Sequence, residues 1–231
     1  MNLKMLSLLV AVGAMVTACG DDDDNGTGPE TSARVRIVHL SPDAPEVDVL
    51  VDDVAVATDV PYRSFSDYLE VEAGSRNVQI RLSQDGSVVL EDDVVVADGE
   101  DYTLLVGNVA ADLTLDDLTD DNSPPAAGTA RVRLIHGAPS AGDVDIYVTA
   151  PGDDLSLATP ALTGVAYGDV SSYLDVPAGS YQVRITPTGT RTVVIDTGTL
   201  TLASGQVRTG IAVDAEGGGA PYAALLLDDL N

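Results

Sequence analysis

The 231-residue sequence has no Trp, one Phe, one Cys and two His, and Lys4 is its only lysine, so every other cation is an arginine. A single Cys can form neither an internal disulfide nor a Cys-based zinc site. Eleven basic residues against 37 acidic ones give a net charge of -26. That balance excludes nucleic acid as a partner, because phosphate contacts need Lys and Arg. Catalytic signatures are missing as well. There is no Gly-x-Ser-x-Gly, no HExxH, no phosphate-binding glycine loop and no GxGxxG after a strand. Ser41 lies two residues from His39, but two side chains on one strand face do not make a triad. A non-enzymatic role is expected. What is there is apolar: 45% of the residues are hydrophobic, too many for an acidic disordered chain.

The apolar run Met5–Ala18 follows a positive start and is too short for a transmembrane helix, which needs roughly 20 residues. It reads as a signal peptide over residues 1–18. Its end, Val16-Thr17-Ala18-Cys19, resembles the bacterial lipobox. The resemblance implies cleavage after Ala18, a diacylglyceryl thioether on Cys19 and a palmitate-type acyl group on the new amino terminus. Several acyl chains hold a protein on a membrane where one is marginal. Residues 19–32 continue as an acidic tether with five acids and no base. An EF-hand loop beginning at Asp21 would need Glu at its twelfth position and has Ser32. Gly20, rather than Asp, follows the Cys, which favours the outer membrane over inner-membrane retention. The expected location is the bacterial cell envelope, on an outer membrane, facing the periplasm or the surface.

The mature chain contains an internal repeat. Ala33-Arg34-Val35-Arg36-Ile37-Val38-His39 recurs as Ala130-Arg131-Val132-Arg133-Leu134-Ile135-His136, an offset of 97. Ser66-Asp67-Tyr68-Leu69 recurs as Ser171-Ser172-Tyr173-Leu174, an offset of 105, so copy two holds about eight extra residues near Ala150–Asp154. The domains read as repeat 1 over 33–121, a Pro/Ala linker over 122–129, and repeat 2 over 130–231. The first repeat, taken to Ser123, carries 21 acids and five Arg, and the second 11 acids and five Arg.

Within each repeat the period is two. Val35, Ile37 and His39 alternate with Arg34, Arg36 and Val38, and Val78, Ile80 and Leu82, like Val183 and Ile185, alternate with polar residues, as half-buried strands do. Turn signals such as Asp85-Gly86, Asp98-Gly99 and Ser204-Gly205 separate these stretches. About seven strands per repeat are expected, near 33–39, 46–51, 67–71, 76–82, 87–96, 101–107 and 112–118 in the first. In the second they fall near 130–136, 143–149, 171–176, 181–186, 192–202, 206–213 and 222–228. The fold class is all-β: two tandem antiparallel immunoglobulin-like or transthyretin-like sandwiches. Asp98-Gly99-Glu100-Asp101-Tyr102 resembles a tyrosine corner, and copy two lacks that Tyr.

The run Arg34–Pro45, followed by Val47-Asp48-Val49, resembles the bacterial domain of unknown function 4397, as do Ser66–Leu69 and Tyr173–Tyr181. The resemblance covers nearly the whole mature chain, once per repeat. It departs at Gly137-Ala138-Pro139-Ser140, where the Ser-Pro-Asp-Ala-Pro run is degraded. It implies secreted or lipid-anchored β-sandwich modules and no established activity.

The candidate site residues, as binding or structural elements, are His39, Asp43, Asp48 and Tyr68 with their mates His136, Asp145 and Tyr173. Each His with its downstream carboxylates could hold a divalent metal, or could end its strand and hydrogen-bond across the next loop. The paired carboxylates Asp52-Asp53, Asp92-Asp93, Asp116-Asp117, Asp153-Asp154 and Asp228-Asp229 read as solvated charge at turns, with calcium as the alternative. The repeated tyrosines Tyr62, Tyr68, Tyr167 and Tyr173, with Phe65, serve either packing or an exposed sugar or peptide face. No cofactor is expected, apart from the calcium alternative. The partners are the membrane, through acyl chains on Cys19, and a cell-surface polysaccharide or protein. A carbohydrate- or calcium-dependent surface adhesion module is the second reading, and a hydrolase the third.

Overall fold

Strands β1 (Ser32–His39), β4 (Leu69–Glu72), β7 (Asp101–Gly107) and β8 (Thr114–Asp120) make one sheet in the order β4-β1-β7-β8. Strands β2 (Val47–Val51), β3 (Val54–Val60), β5 (Gly74–Leu82) and β6 (Val88–Val96) make a second, in the order β3-β2-β5-β6. The two face each other across a core of Val35, Ile37, Val47, Val49, Ile80 and Leu104, all of them buried. The computed structural model describes residues 31–230. Residues 1–30, where the sequence leads one to expect a signal peptide, the lipidated Cys19 and most of an acidic tether, lie outside the described residues.

Copy two repeats the plan. Strands β9 (Thr129–His136), β12 (Leu174–Pro177), β16 (Val207–Val213) and β17 (Ala223–Leu230) form the sheet β12-β9-β16-β17. Strands β10 (Val144–Thr149), β11 (Leu162–Val165), β13 (Gly179–Pro187) and β14 (Ile195–Asp196) form the sheet β11-β10-β13-β14, and β15 (Leu200–Leu202) pairs with the start of β13. Val144, Ile146, Ile185, Ile195 and Ala212 fill this second core. The extra residues of copy two end in a 3₁₀ turn, Leu155–Leu157, which Asp154 caps by accepting from Ser156 N at 2.8 Å.

Three sequence expectations need correction. First, copy one has eight strands rather than seven. β3 escapes a period-two reading because its pairing with β2 shifts register twice and Asp59 sits at a φ of 51°. In copy two β11 was missed for a similar reason, since Gly164 breaks it at a φ of 60°. The single strand expected over 192–202 is two, separated around Gly198 at a φ of 61°. Second, the sheets are not purely antiparallel. β1 pairs β7 in parallel, with Arg36 opposite Thr103, and β9 pairs β16 likewise, with Arg133 opposite Thr209. Third, β1 is not half-buried. Arg36 is 1% exposed and Val38 0%, as buried as Val35 and Ile37 on the other face.

That third correction has a structural cause. A strand buried on both faces lies between two layers. Val35 and Ile37 face copy one's outer sheet, while Val38, Leu40 and Leu105 pack against Ile135, Ile211, Val213 and Leu227 of copy two. The layers therefore run outer sheet, inner sheet, inner sheet, outer sheet, and residues from Thr31 onward form one compact unit. Each fully buried Val, Ile or Leu in the shared layer is worth about 1.5–3 kcal/mol relative to exposure.

Candidate functional site at the seam between the copies

The seam carries charge as well as hydrocarbon. Arg36 on β1 donates from Nη2 to Thr103 Oγ1 at 2.7 Å and from Nη1 to Asp229 Oδ1 at 2.8 Å. Arg133, its mate on β9, donates from Nε to Thr209 Oγ1 at 3.2 Å and from Nη2 to Asp120 Oδ1 at 2.6 Å. Each threonine passes its own proton to the carboxylate at the end of its own copy. Thr103 donates to Asp120 Oδ2 at 2.6 Å and Thr209 to Asp229 Oδ2 at 2.5 Å. Each arginine thus hydrogen-bonds the threonine of its own sheet and the aspartate of the other copy, and Arg36 Nη2 also stands 3.7 Å from Asp120 Oδ2 of its own copy. The exchange is reciprocal, as across a two-fold axis. The side chains of Arg36 and Asp229 are 1% and 0% exposed, and those of Arg133 and Asp120 are 3% and 0%. Charges so deep need this hydrogen-bonding, since desolvation costs several kcal/mol per ion.

The paired tyrosines close the network. Tyr68 donates to Asp120 Oδ2 at 2.6 Å beneath Arg36, whose guanidinium carbon stands 4.9 Å from the ring centre. Tyr173 lies under Arg133 at 4.7 Å, with its hydroxyl 3.5 Å from Asp120 Oδ1. Burial first, and then the Asp120 charge, push the Tyr68 hydroxyl well above the usual phenol range, so it remains a proton donor. Burial likewise raises Tyr173. A second reciprocal pair lies further along the seam. Tyr62 donates to the carbonyl of Asp214 at 2.9 Å, and the Tyr167 hydroxyl lies against Gly107, at the corresponding strand end in copy one, 3.1 Å from where a Cβ would stand there. All four repeated tyrosines therefore pack at the seam. Phe65 is 42% exposed and bridges Val38.

The histidines end β1 and β9 and close the loops that follow them. His39 accepts from Ser41 N at Nδ1 (3.4 Å), and its Nε2 lies 3.1 Å from the carbonyl of Pro45. His136 accepts from Ala138 N (3.3 Å) and reaches the carbonyl of Gly142 (2.8 Å). An acceptor Nδ1 beside a donor Nε2 fixes the neutral ring with its proton on Nε2. Burial holds His39 below the ordinary histidine range. Tyr62 and Tyr167 meet His39 and His136 edge-on, at 6.2 and 6.4 Å.

The candidate carboxylates are each engaged by hydrogen-bond donors. Asp43 accepts from Ala110 N at 2.7 Å. Asp48 accepts from Ser83 Oγ at 2.6 Å and Asp59 N at 2.9 Å, and the serine bond leads in holding it below the usual carboxylate range. Asp145 accepts from Gly189 N at 2.9 Å and Gly164 N at 3.0 Å, with the same effect. Among the described residues no group of three or more His, Cys, Asp or Glu is placed to hold a metal ion. The tyrosine-corner contact is made: Ala97 N donates to Tyr102 Oη at 3.1 Å.

The reading of paired carboxylates as solvated charge at turns is corrected by β17. Asp228-Asp229 lies within a strand, and so do Asp92-Asp93 and Asp116-Asp117. Alternation in β17 sends Asp229 inward to Arg36 and leaves Asp228 to Arg208. The residues that sequence reasoning missed are Arg36, Thr103, Asp120, Arg133, Thr209 and Asp229. Their signal was the repeat itself, which places an Arg, a Thr and an Asp at matching points of both copies. One open cleft borders the network, with a volume of about 450 Å³. Arg34, Glu100, Asp101, Asn122 and Tyr173 line it. Arg34 grips Asp101 there through two bonds of 2.7 and 2.6 Å, and Asn122 donates to the same carboxylate at 2.7 Å.

Comparison with known proteins gives a family and a set of distant shapes. No curated protein matches the chain. A streptococcal structure described as alpha-glucan recognition by family 41 carbohydrate-binding modules from virulence factors is 11% identical. It covers 83% of this chain and 96% of its own, at a TM-score of 0.28. A putative adhesin from Bacteroides ovatus is 12% identical over 81% of this chain and 90% of its own, at a TM-score of 0.23. The family model described as domain of unknown function (DUF4397) matches residues 33–147 and 149–231. The chain belongs to that family, and carries its domain in two tandem copies.

Proposed function

We propose that the protein is a lipid-anchored module of the bacterial cell envelope, with a structural or binding role and no catalytic one. One observation carries the non-catalytic part. Both histidines, and every candidate carboxylate and repeated tyrosine, are engaged with backbone or seam partners. A nucleophile and base need a free, mutually aimed pair, and these groups are already satisfied. The anchor rests on Val16-Thr17-Ala18-Cys19, and the acidic tether would hold the folded unit off an anionic surface. The test is incorporation of labelled palmitate and partition of the full chain into the membrane fraction. Cys19→Ala should abolish labelling and release the chain, and unchanged labelling would refute the anchor. Protease treatment of intact cells would separate a surface-facing chain from a periplasmic one.

The seam cleft favours a second reading, polysaccharide adhesion. Carboxylate, amide, guanidinium and phenol groups converge there, the set that hydrogen-bonds sugar hydroxyls. Isothermal titration with envelope polysaccharides tests this, and Asn122→Ala should weaken any binding.

A further inference from the structure

The inner sheets of the two copies touch through matching residues in exchanged roles. Arg36 takes Asp229 while Arg133 takes Asp120. Tyr62 reaches the end of β16 at Asp214 while Tyr167 reaches the end of β7 at Gly107, and each meets the histidine of its own copy edge-on. Such reciprocity is what an isologous contact produces. We infer that the β1-β7-β8 face is a self-complementary docking surface, present again as the β9-β16-β17 face, and that the partner it fits is another copy of the same domain. In this chain the partner is supplied in cis, making the protein a covalently fused dimer.

Two features support this beyond the shared core. The first is charge. Without copy two, Arg36 loses its 2.8 Å partner Asp229 and keeps only the longer 3.7 Å contact to Asp120, on a face it shares with Val38 and Leu105, and without copy one Arg133 loses Asp120. Removing one partner of a buried pair is far more damaging than never having built it, so each copy holds the counter-charge the other needs. The second is shape. Leu40 and Gly137 occupy matching points of the repeat, at the offset of 97. A Cβ on Gly137 would stand 3.2 Å from Leu40 Cδ1 and 2.9 Å from Ile211 Cγ2. Two leucines at this place would collide. One copy keeps the knob and the other has become the hole, and this accounts for Gly137 where copy one has Leu40. A fused pair can differentiate its halves in that way, while a true homodimer cannot.

The linker is then a convenience and not the clamp. The test uses the full chain with a site-specific protease sequence inserted between the exposed Ser123 and Pro124. After complete cleavage the two fragments should co-elute at the mass of the uncut chain and melt in a single transition. Fragments that part on dilution, folded or not, overturn the inference. A second measurement needs no insertion. In the intact chain, Leu105→Asp in copy one should speed amide exchange in β16 and β17 of copy two by at least tenfold, together with β7 and β8. Faster exchange confined to copy one would equally overturn it.

Discussion

Arg36, near the start of the described chain, holds its Nη1 2.8 Å from Oδ1 of Asp229, near its end, and neither side chain reaches solvent. The pair joins the first strand of copy one to the last strand of copy two. Chain order is thus closed into one unit by a contact spanning 193 residues. Hydrophobic matching alone would tolerate sliding of one sheet over the other. Two buried ion pairs with threonine seats fix a single register, because any slip strands a charge.

Asp229→Ala should lower the unfolding free energy by about 3 kcal/mol, the low end of the usual penalty for breaking a buried pair, because Arg36 keeps a longer 3.7 Å contact to Asp120. Chemical denaturation measures it. Replacing both partners, as Arg36→Met with Asp229→Leu, should recover much of the loss, because no charge is then left without a counter-ion. If the double variant is as unstable as the sum of the single ones, the pair is not coupled in the way its geometry indicates.

Gly137→Ala should destabilise by about 1–3 kcal/mol through overpacking, since the new methyl meets Ile211 and Leu40. Leu40→Ala alone should cost about 2–5 kcal/mol by opening a cavity in the shared layer. Combined, the two should cost less than their sum, because removing the leucine relieves one of the close contacts. Thermal unfolding of the three variants checks the cycle, and strict additivity would separate the two positions.

The strands with one solvent face were legible from alternation. Val78, Ile80 and Leu82 in β5 gave their positions, as did the repeat and its Asp-Gly turns. The seam was not legible, because a strand buried on both faces loses the contrast that alternation relies on. Arg36 and Asp229 look like surface residues in any window of sequence, and only a partner far away in the chain makes them core. The histidine loops were half legible. The sequence allowed both a metal and a loop-closing bond, and it is the positions of the Pro45 and Gly142 carbonyls that show what Nε2 meets.

His39 makes a pH prediction. Burial lowers its folded pKa below the unfolded value of about 6.5. The unfolded state then binds the extra proton first, so this contribution to stability is complete above about pH 6.5 and is lost as pH falls from there towards the folded pKa. Protonation would put a proton on Nδ1, which now accepts from Ser41 N. NMR titration should find the His39 ring neutral, with its proton on Nε2, at a pH where a free histidine is mostly charged. In His39→Gln the fall in melting temperature between pH 7 and 5.5 should be smaller than in the parent chain. A ring titrating at or above the ordinary value would contradict the loop-closing role.

Asp145 ties β11 to the loop that follows β13. Its oxygens take Gly164 N and Gly189 N, one from each flank of β10. Asp145→Ala leaves both donors without that acceptor, at a cost of about 1–3 kcal/mol for each one shut off from water. Amide exchange at Gly164 and Gly189 should accelerate while β9 and β16 stay protected. Because those bonds depress the carboxyl pKa, the stabilisation is present above the unfolded value of about 3.9 and disappears as pH falls through the lower folded one. The parent chain should therefore lose more stability than Asp145→Ala between pH 4.5 and 2.5. Millimolar calcium should leave the melting temperature of both unchanged, since a cation here would have to displace two N–H donors already aimed at the carboxylate. A calcium-dependent rise in the parent that vanishes in Asp145→Ala would instead make Asp145 part of a cation site.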